Sequence, residues 1–207
     1  EELAFDENNP SGISDTILQT LEEKDCCILQ GPPGTGKSYT IAKIVANYLE
    51  KGKSVCVTTM ANKGLIELIK QAPLGDLVSE GKIYKTNLSI DEKKQILGVK
   101  TAPSDLNVPA GELLCATNYV LSSVFSEKKM TLNGLPSYDL IVVEEASQAF
   151  LTAIAAFKQL GKKCLIVGDP MQLPPIVKLN NPMYNAWNVN TQVEGLKTFA
   201  LGTDIKA

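Results

Sequence analysis

The stretch that decides the fold reads Gly31-Pro32-Pro33-Gly34-Thr35-Gly36-Lys37-Ser38. Its spacing, G-x-x-x-x-G-K-[ST], is typical of a loop that wraps around phosphate groups. A short apolar run at residues 26–29 precedes the loop and favours a buried strand, and residues 38–49 follow it with apolar side chains at helical spacing. The sequence therefore predicts strand, loop and helix in the order that phosphate binding requires.

The residue types in this loop suit a triphosphate. Its glycines allow the backbone to curl so that successive N–H groups point inward, and the following helix adds the partial positive charge of its N-terminus. Lys37 is placed to reach the β- and γ-phosphates, and the Ser38 hydroxyl to take one position on Mg²⁺. A solvated turn rich in glycine and proline is the alternative, and the correct flanks on both sides disfavour it.

The composition is that of one α/β domain rather than of a basic nucleic-acid-binding protein. The chain has 207 residues, of which 44% are apolar and 21% charged, so it can bury a core of ordinary size. The net charge of −3 excludes a broadly basic surface. Any contact with nucleic acid is therefore expected in a local groove.

The five cysteines, at positions 26, 27, 56, 115 and 164, lack the spacing of zinc ligands, and the sequence contains no histidine. They lie in or beside short apolar runs with strand character, so we expect reduced, buried thiols in a cytoplasmic protein. No apolar stretch has the length of a membrane-spanning helix, and the acidic first residues do not resemble a signal peptide. We expect no membrane contact.

The first third of the chain alternates helices with strands. Ser14 is predicted to cap a helix that runs to about Glu23, and Gly52 to end the helix that follows the phosphate loop. Residues 54–59 are predicted to form a second buried strand, and residues 61–71 the helix after it. This β-α-β-α order is typical of a parallel sheet with crossover helices.

The regular pattern weakens over residues 72–111, where glycines and prolines are frequent. We interpret this segment as a small insertion, with a strand near residues 82–86 and a helix near residues 91–97, too short for an independent core. The remaining predicted elements are strands at residues 112–117, 139–144 and 163–168 and a helix at residues 146–160. Beyond Val177 the pattern fades, and we expect the end at Ala207 to lie inside a longer protein.

Two carboxylates end an apolar strand at Asp139-Leu140-Ile141-Val142-Val143-Glu144-Glu145. An enzyme with a phosphate loop needs an acid at such a strand end to hold Mg²⁺, and a base or positioning group for the attacking water. Adjacent residues can divide these two roles because their side chains point in different directions. An ordinary strand end with solvated glutamates is the alternative.

A third stretch, Leu165-Ile166-Val167-Gly168-Asp169-Pro170-Met171-Gln172-Leu173-Pro174-Pro175, is a buried strand that runs into a proline-bounded loop. Ligands of open parallel sheets bind beyond the carboxyl ends of the strands. Asp169 and Gln172 are therefore placed where a γ-phosphate or its attacking water would lie. Taken alone, the stretch indicates only a turn with a hydrogen-bonded aspartate.

The segments Q-G-P-P-G-T-G-K-S, V-V-E-E-A-S-Q-A and V-G-D-P-M-Q-L-P-P occur in this order. Together they resemble motifs I, II and III of the superfamily 1 helicases, and most of all the branch that contains the RNA-surveillance and senataxin-like DNA/RNA helicases. The resemblance covers roughly residues 15–178. It implies an α/β fold, the first RecA-like P-loop NTPase domain of such a motor, with a parallel β-sheet flanked by helices on both faces and occupying residues 1–207.

The resemblance also implies ATP and Mg²⁺ as cofactors. It makes Lys37, Glu145 and Gln172 the catalytic residues, with Glu145 activating water, and it assigns the metal to Ser38 and Glu144. The nucleotide contacts that it implies are Gly31, Pro33, Gly34, Thr35, Gly36, Lys37, Ser38, Tyr39 and Asp169.

Single-stranded DNA or RNA is the partner that the resemblance implies, together with a second RecA-like domain on the C-terminal side. Thr58, Thr59 and Asn62 fall at the family's motif Ia, and Thr117 and Asn118 at motif Ic, where the strand backbone is held. Hydroxyl and amide groups at strand ends suit phosphate contacts without sequence preference. The alternative, threonines favoured by strands and one helix cap, stays open at this point.

The sequence departs from the family in three respects. Glu144 stands where the family usually has aspartate, and the position of the adenine-reading glutamine falls near Ser14. The motifs of the second RecA-like domain, which supplies arginine fingers, are absent, and all twenty positively charged side chains are lysines. We therefore expect the 207-residue chain by itself to bind nucleotide weakly and to hydrolyse it slowly.

Other classes of function fit parts of the pattern. An ATP-dependent molecular switch would use the same loop to regulate partner binding without unwinding nucleic acid. A GTPase would need N-K-x-D, and Asn62-Lys63-Gly64-Leu65 has leucine where that aspartate belongs. Small-molecule kinases seldom carry adjacent acids followed by G-D-x-x-Q-L-P-P. The interpretation that best fits all three motifs is the ATP-binding and hydrolysing core of a DNA/RNA helicase or translocase.

Overall fold

The computed structural model describes residues 10–125, 134–169 and 171–172. Within them the strands are β1 (Cys26–Gln30), β2 (Val55–Thr59), β3 (Ile83–Lys85), β4 (Lys100–Thr101), β5 (Leu113–Thr117), β6 (Tyr138–Val143) and β7 (Gly161–Gly168). The helices are α1 (Pro10–Glu23), α2 (Lys37–Glu50), α3 (Asn62–Ile69), α4 (Gly75–Ser79), α5 (Ile90–Gln95), α6 (Asn118–Ser122) and α7 (Leu151–Lys158). Short 3₁₀ turns lie at Ala72–Leu74, Ser123–Phe125 and Ala146–Gln148.

The strands form one parallel sheet in the order β1-β7-β6-β2-β5-β3-β4. β2 and β5 are buried at every position, as expected for strands that are covered on both faces. The predicted parallel sheet is confirmed. Since β7 lies between β1 and β6, the carboxyl ends of these three strands meet at the point where the phosphate loop leaves β1.

Helices cover both faces of this sheet, as predicted. On one face, α1, α2 and α3 bury apolar side chains such as Leu21, Ile44 and Leu65. On the other face, α6 and α7 bury Leu121 and Phe157. Full burial of one such side chain stabilises a fold by about 1.5–3 kcal/mol. The two layers therefore hold the strand ends in fixed positions. No helix in the part of the chain that the structure describes is long and apolar enough to cross a membrane.

α1 begins earlier than the sequence predicts. Ser14 was expected to cap the helix, but α1 starts at Pro10, and Ser14 lies inside it with 4% of its surface exposed. Proline suits the first helical position because its φ is already helical and its missing N–H needs no partner. Ile17 and Leu21 on this helix are buried in the core.

The predicted helix over residues 146–160 is wrong in its first part. The 3₁₀ turn Ala146–Gln148 is followed by extended backbone at Ala149 and Phe150, and α7 begins only after them. Glu145 itself, with a φ of 53°, makes a left-handed turn immediately after β6, before the predicted helix would begin. Apolar spacing cannot reveal this interruption, because Ala149 is buried in the core just as a helical residue would be.

Residues 72–111 form the edge of the main sheet. β3 pairs with β5, and β4, which the sequence did not predict, pairs with β3. Leu74, Ile83 and Val99 join the same core as α2 and α3. The segment therefore has no core of its own, as expected, whereas its status as an insertion stays a prediction.

All five cysteines lie on strands and are free thiols. Four of them are buried, and Cys26 is partly exposed at the sheet-edge strand β1. The Cys164 thiol on the neighbouring β7 donates a hydrogen bond to the Cys26 sulfur, and this bond lowers the pKa of Cys26 from 9.0 to about 7. Burial raises the pKa of the Cys56 and Cys115 thiols, which are fully enclosed.

Alkylation of the native protein is therefore expected to single out Cys26. Iodoacetamide reacts with the thiolate, so at pH 7 we expect fast labelling of Cys26, with a rate that rises through a midpoint near pH 7. Cys56 and Cys115 should react only after unfolding. Peptide mass spectrometry measures both phases. Persistence of the fast phase in Cys26→Ser, or its absence in the wild type, would contradict the assignment.

Candidate nucleotide-binding site

A cleft of about 440 Å³ opens at the carboxyl ends of β1, β6 and β7. Its lining comes from the phosphate loop, from the start of α2, from α3 and from the residues that follow β6 and β7. The lining residues are Pro33, Gly34, Gly36, Lys37, Ser38, Tyr39, Gly64, Glu67, Gln71, Glu144, Glu145, Ser147, Val167, Gly168, Asp169 and Gln172. The structure thus brings together the predicted phosphate loop, both predicted acids and the predicted γ-phosphate sensors.

The phosphate loop is curled at its glycines. Gly34 and Gly36 each have a φ of 79°, a left-handed conformation that other residues adopt at a cost. A Cβ on Gly31 would lie 3.1 Å from the Thr35 hydroxyl oxygen, which itself donates to the Pro32 carbonyl at 2.8 Å. This curl delivers the chain into α2, whose first residue is Lys37.

Lys37 is held inside its own loop. Its Nζ donates to the carbonyl oxygens of Gly31 at 2.7 Å and Pro32 at 2.6 Å. An ammonium group has three N–H donors, so one donor remains for a phosphate oxygen. The loop therefore keeps the positive charge in the cleft without placing it in the core.

Glu144 is a buried acid with one free oxygen. Its surface is 9% exposed, the Ser38 hydroxyl donates to its Oε1 at 3.1 Å, and its Oε2 has no hydrogen-bond partner within the described ranges. Burial raises the pKa of Glu144 to about 7, with a contribution from the neighbouring Glu145 charge; the hydrogen bond from Ser38 opposes the rise.

The surroundings of Glu144 fit a magnesium ion. An unpartnered carboxylate oxygen beside a serine hydroxyl is the oxygen-rich arrangement that Mg²⁺ prefers in proteins. Glutamate reaches Ser38 although the family usually has the shorter aspartate. A bound cation would also remove the cost of holding this carboxylate ionised at the bottom of a cleft.

Glu145 enters the cleft from a strained turn. Its φ of 53° is uncommon for a residue other than glycine and costs of order 1 kcal/mol or more. The Gln148 N–H donates to the Glu145 carbonyl at 2.9 Å and closes the turn. The Thr59 hydroxyl lies 3.2 Å from the carboxylate Oε2 and 3.1 Å from the Ala61 carbonyl oxygen, so these two acceptors share its one proton. This contact with Glu145 places Thr59 in the candidate site, and the sequence did not predict it.

The residues after β7 form a turn that carries Gln172 into the cleft. Asp169 is 5% exposed, its Oδ1 accepts from the Met171 N–H at 2.9 Å, and the Gln172 N–H donates to its carbonyl at 3.1 Å. The Gly31 N–H donates to the Gly168 carbonyl at 3.3 Å, which joins this turn to the phosphate loop. Position 170 and residues 173–175, which belong to the third stretch singled out in the sequence, lie outside the described residues.

Three of the predicted nucleic-acid contacts have hydroxyl groups that bond inside the protein. Thr58 and Thr59 are fully buried, and the Thr58 hydroxyl donates to Oδ1 of Asn118 at 2.7 Å. The Thr117 hydroxyl accepts from the Val120 N–H and caps α6, which is the alternative left open above. Asn62 alone among the five is exposed. Contacts of all five with nucleic acid stay predictions.

The sequence missed the contribution of α3 to the cleft. Gly64 and Glu67 on α3, and Gln71 just after it, line the cleft because β2 lies beside β6 in the sheet, so that the helix after β2 passes in front of the two glutamates. A Cβ on Gly64 would lie 3.0 Å from the Thr59 hydroxyl oxygen. No spacing rule could identify these residues, since their role depends on strand order.

Replacement of Glu144 by glutamine is expected to stabilise the protein at high pH. The folded-state pKa of about 7 lies above the ordinary 4.5, so the cost of ionising Glu144 is absent below pH 4.5 and complete above pH 7. A displacement of that size corresponds to roughly 3 kcal/mol. Urea unfolding in EDTA measures the free energy of unfolding. We expect this free energy to increase for Glu144→Gln, relative to the wild type, as the pH rises from 5 to 8.

Glu50, the exposed last residue of α2, supplies the matched control for this measurement, since Glu50→Gln makes the same chemical change. A difference between wild type and Glu144→Gln that stays constant over this pH range would contradict the burial of an ionisable Glu144.

The AAA domain family matches residues 14–178, and the chain belongs to this family. Two relatives illustrate how similar this chain is to known proteins. The "DNA replication ATP-dependent helicase/nuclease dna2" of Schizosaccharomyces pombe is 27% identical over 161 residues, which cover 73% of this chain and 11% of that protein. The "DNA-binding protein SMUBP-2" of Mesocricetus auratus is 22% identical, with 78% of this chain and 21% of that protein covered. The chain thus spans a small part of the length of these relatives.

The fold has a counterpart of known structure. A nuclease-deletion mutant of the Type ISP restriction-modification enzyme LlaGI, in complex with a DNA substrate mimic, matches with a TM-score of 0.52 at 18% identity. The match covers 81% of this chain and 17% of that one. The predicted RecA-like fold, with a parallel sheet flanked by helices on both faces, is confirmed. The assignment of the chain to the RNA-surveillance and senataxin-like branch stays a prediction.

Proposed function

We propose that this domain binds ATP with Mg²⁺ and hydrolyses it, as the ATPase core of a DNA or RNA helicase or translocase. The observation that carries the proposal is the arrangement around Ser38: its hydroxyl joins the phosphate loop to the buried Glu144, and Glu145 follows directly. A surface turn with solvated glutamates would not bury an acid with a free oxygen beside that loop.

Each residue has a part in this reaction. The loop N–H groups and Lys37 bind the phosphates, and Ser38 and Glu144 would hold Mg²⁺, which when bound neutralises charge on the β- and γ-phosphates. Glu145, held by Thr59, takes the proton from the attacking water. Gln172 and Asp169, on the turn tied to Gly31 through Gly168, contact the γ-phosphate side.

The cleft is one wall of the site in this proposal. A second RecA-like domain would supply the opposite wall and the arginines that stabilise charge in the transition state, because this sequence contains none. Closure of that domain over the nucleotide would couple hydrolysis to movement along a single strand. DNA and RNA both fit the proposal.

Steady-state phosphate release by the protein that includes the proposed second RecA-like domain, measured with and without single-stranded DNA or RNA, tests the proposed function. We expect hydrolysis of ATP that depends on Mg²⁺ and increases when a single strand is added. Stimulation by a partner protein alone would favour a molecular switch over a motor. Hydrolysis of GTP in preference to ATP would contradict the assignment of an ATPase.

A further inference from the structure

Two cysteines on neighbouring strands face each other at the end of the sheet away from the cleft. Cys26 begins β1, and the residue opposite it on β7 is Cys164. Both thiols lie on the same face of the sheet, in the core layer that α6 and α7 cover. The cleft opens at the other, carboxyl ends of these strands. The proposed hydrolysis therefore uses neither thiol.

The sheet holds the two cysteines at a fixed separation. The Cys164 N–H donates to the Asp25 carbonyl at 2.8 Å. Nζ of the adjacent Lys163 donates to the Lys24 carbonyl and to Oδ1 of Asp25, both at 3.1 Å. Neighbouring strands lie about 4.7–4.9 Å apart, and a disulfide needs Cα atoms about 4.4–6.8 Å apart. A disulfide can therefore join β1 to β7 here without movement of the backbone.

Cys26 is the more reactive of the two thiols. It is partly exposed, whereas Cys164 is fully buried. The hydrogen bond from the Cys164 thiol and the nearby positive charge of Lys158 outweigh the effect of burial and lower the pKa of Cys26 to about 7. The same bond raises the pKa of Cys164, which stays protonated. Since oxidants attack thiolates, Cys26 is the thiol that reacts first.

The other three cysteines cannot take the place of Cys164. Cys27 follows Cys26 directly, so its side chain points to the opposite face of the sheet, where it joins the core layer of α1 and α2. Burial raises the pKa of the Cys27 thiol. Cys56 and Cys115 are fully enclosed on β2 and β5. Cys164 is therefore the thiol that meets the Cys26 sulfur.

We propose that Cys26 and Cys164 form a peroxide-reactive thiol pair, in which a peroxide oxidises Cys26 and Cys164 then closes a disulfide between β1 and β7. With hydrogen peroxide, the Cys26 thiolate first attacks one oxygen and the O–O bond breaks, which leaves a sulfenic acid on Cys26 and releases hydroxide. The Cys164 sulfur then attacks the Cys26 sulfur, the S–O bond breaks, and the departing hydroxide takes the Cys164 proton to become water. The two sulfur atoms together lose two electrons, and the peroxide gains them.

The second thiol makes the oxidation of the first reversible. A sulfenic acid that stays exposed to peroxide proceeds to sulfinic acid, which thiols do not reduce, whereas a disulfide is reduced by thiol exchange. β1 leads into the phosphate loop and, among the strands that the structure describes, pairs with β7 alone. The pair therefore protects the start of this strand from a permanent negative charge.

Peptide mapping of the oxidised protein tests the pair. No nucleotide or nucleic acid is added, so the outcome does not depend on the proposed function. The protein is treated with hydrogen peroxide in EDTA, the remaining thiols are blocked with N-ethylmaleimide, and the unreduced digest is analysed by mass spectrometry, with fragmentation to distinguish Cys26 from Cys27. We expect a linkage between Cys26 and Cys164 that dithiothreitol removes, while Cys56 and Cys115 stay reduced.

Two variants and a matched control establish the order of the steps. In Cys164→Ala we expect slower oxidation, because the hydrogen bond to Cys26 is lost, and a sulfenic acid on Cys26 that dimedone labels and excess peroxide converts to sulfinic acid. In Cys26→Ala we expect Cys164 to remain a thiol. Cys27→Ala is the control, since it removes the adjacent thiol on the other face of the sheet. It should form the same disulfide as the wild type.

The map of the wild-type protein decides even where a variant does not fold. Linkage of Cys26 to Cys27, linkage between two copies of the chain, or oxidation of Cys56 and Cys115 as fast as that of Cys26 would overturn the proposal. So would a wild type in which excess peroxide converts Cys26 to sulfinic acid without a disulfide, because Cys164 would then not act as the second thiol.

Discussion

Glu145→Gln is expected to bind ATP as the wild type does and to lower its steady-state hydrolysis by roughly 10²–10⁴-fold, the usual contribution of a general base. Glutamine keeps the size of the side chain and its hydrogen bond with Thr59, which lies 3.2 Å from the carboxylate. It cannot accept the proton of the attacking water. Phosphate release by the protein with its proposed second RecA-like domain, under saturating ATP and single-stranded nucleic acid, measures the loss.

Glu67→Gln provides the comparison for this result, because Glu67 also lines the cleft but is exposed on α3. It should retain turnover close to that of the wild type. Full turnover of Glu145→Gln would show that the proposed division of roles between Glu144 and Glu145 is wrong.

Lys37→Ala is expected to weaken ATP binding by roughly ten- to a hundredfold, since one hydrogen bond between charged groups contributes about 1.5–3 kcal/mol. The fold should be unaffected because the hydrogen bonds that Nζ makes within the described residues go to the carbonyls of Gly31 and Pro32 in its own loop. Titration with a fluorescent ATP analogue measures the affinity, and thermal melting checks the fold.

Lys51→Ala, an exposed lysine just after α2, removes the same charge away from the cleft and should bind as the wild type does. Unchanged affinity of Lys37→Ala, with an unchanged melting curve, would contradict the assignment of the phosphate loop.

The sequence predicted those parts of the site in which the residues that act together lie close to one another in the chain. The phosphate loop needs glycine, lysine and serine at fixed positions of one turn, and Glu144 and Glu145 mark the end of an apolar strand. Once the strands are parallel, their carboxyl ends share one edge, and the loop and the acids must meet there. The structure places them in one cleft accordingly.

The contacts that sequence could not predict join residues far apart in the chain. The bond between Thr59 and Glu145 depends on β2 lying beside β6, and that between Lys85 and Asn62 on the pairing of β3 with β5. Strand order decides both, and no periodicity encodes it. Thr59 is of a type that is common in strands, and Asn62 of a type that is common at helix starts. Neither residue type therefore indicates the contact that it makes.

The predicted boundaries of helices and strands are wrong where the local backbone departs from what the apolar pattern indicates. Extended backbone at Ala149 and Phe150 interrupts a segment that has helical spacing, and α1 begins at Pro10, one turn before the serine that was expected to cap it. β4 has only two residues, both exposed, and offers no apolar alternation to detect.

Calorimetric titration of the protein with ATP, in Mg²⁺ and again in EDTA, tests the central claim most directly. Ser38 and the free oxygen of Glu144 are expected to hold the metal against the phosphates. The account predicts one site per chain, with binding that is much weaker in EDTA. Binding of equal strength with and without Mg²⁺, or no binding under either condition, would contradict it.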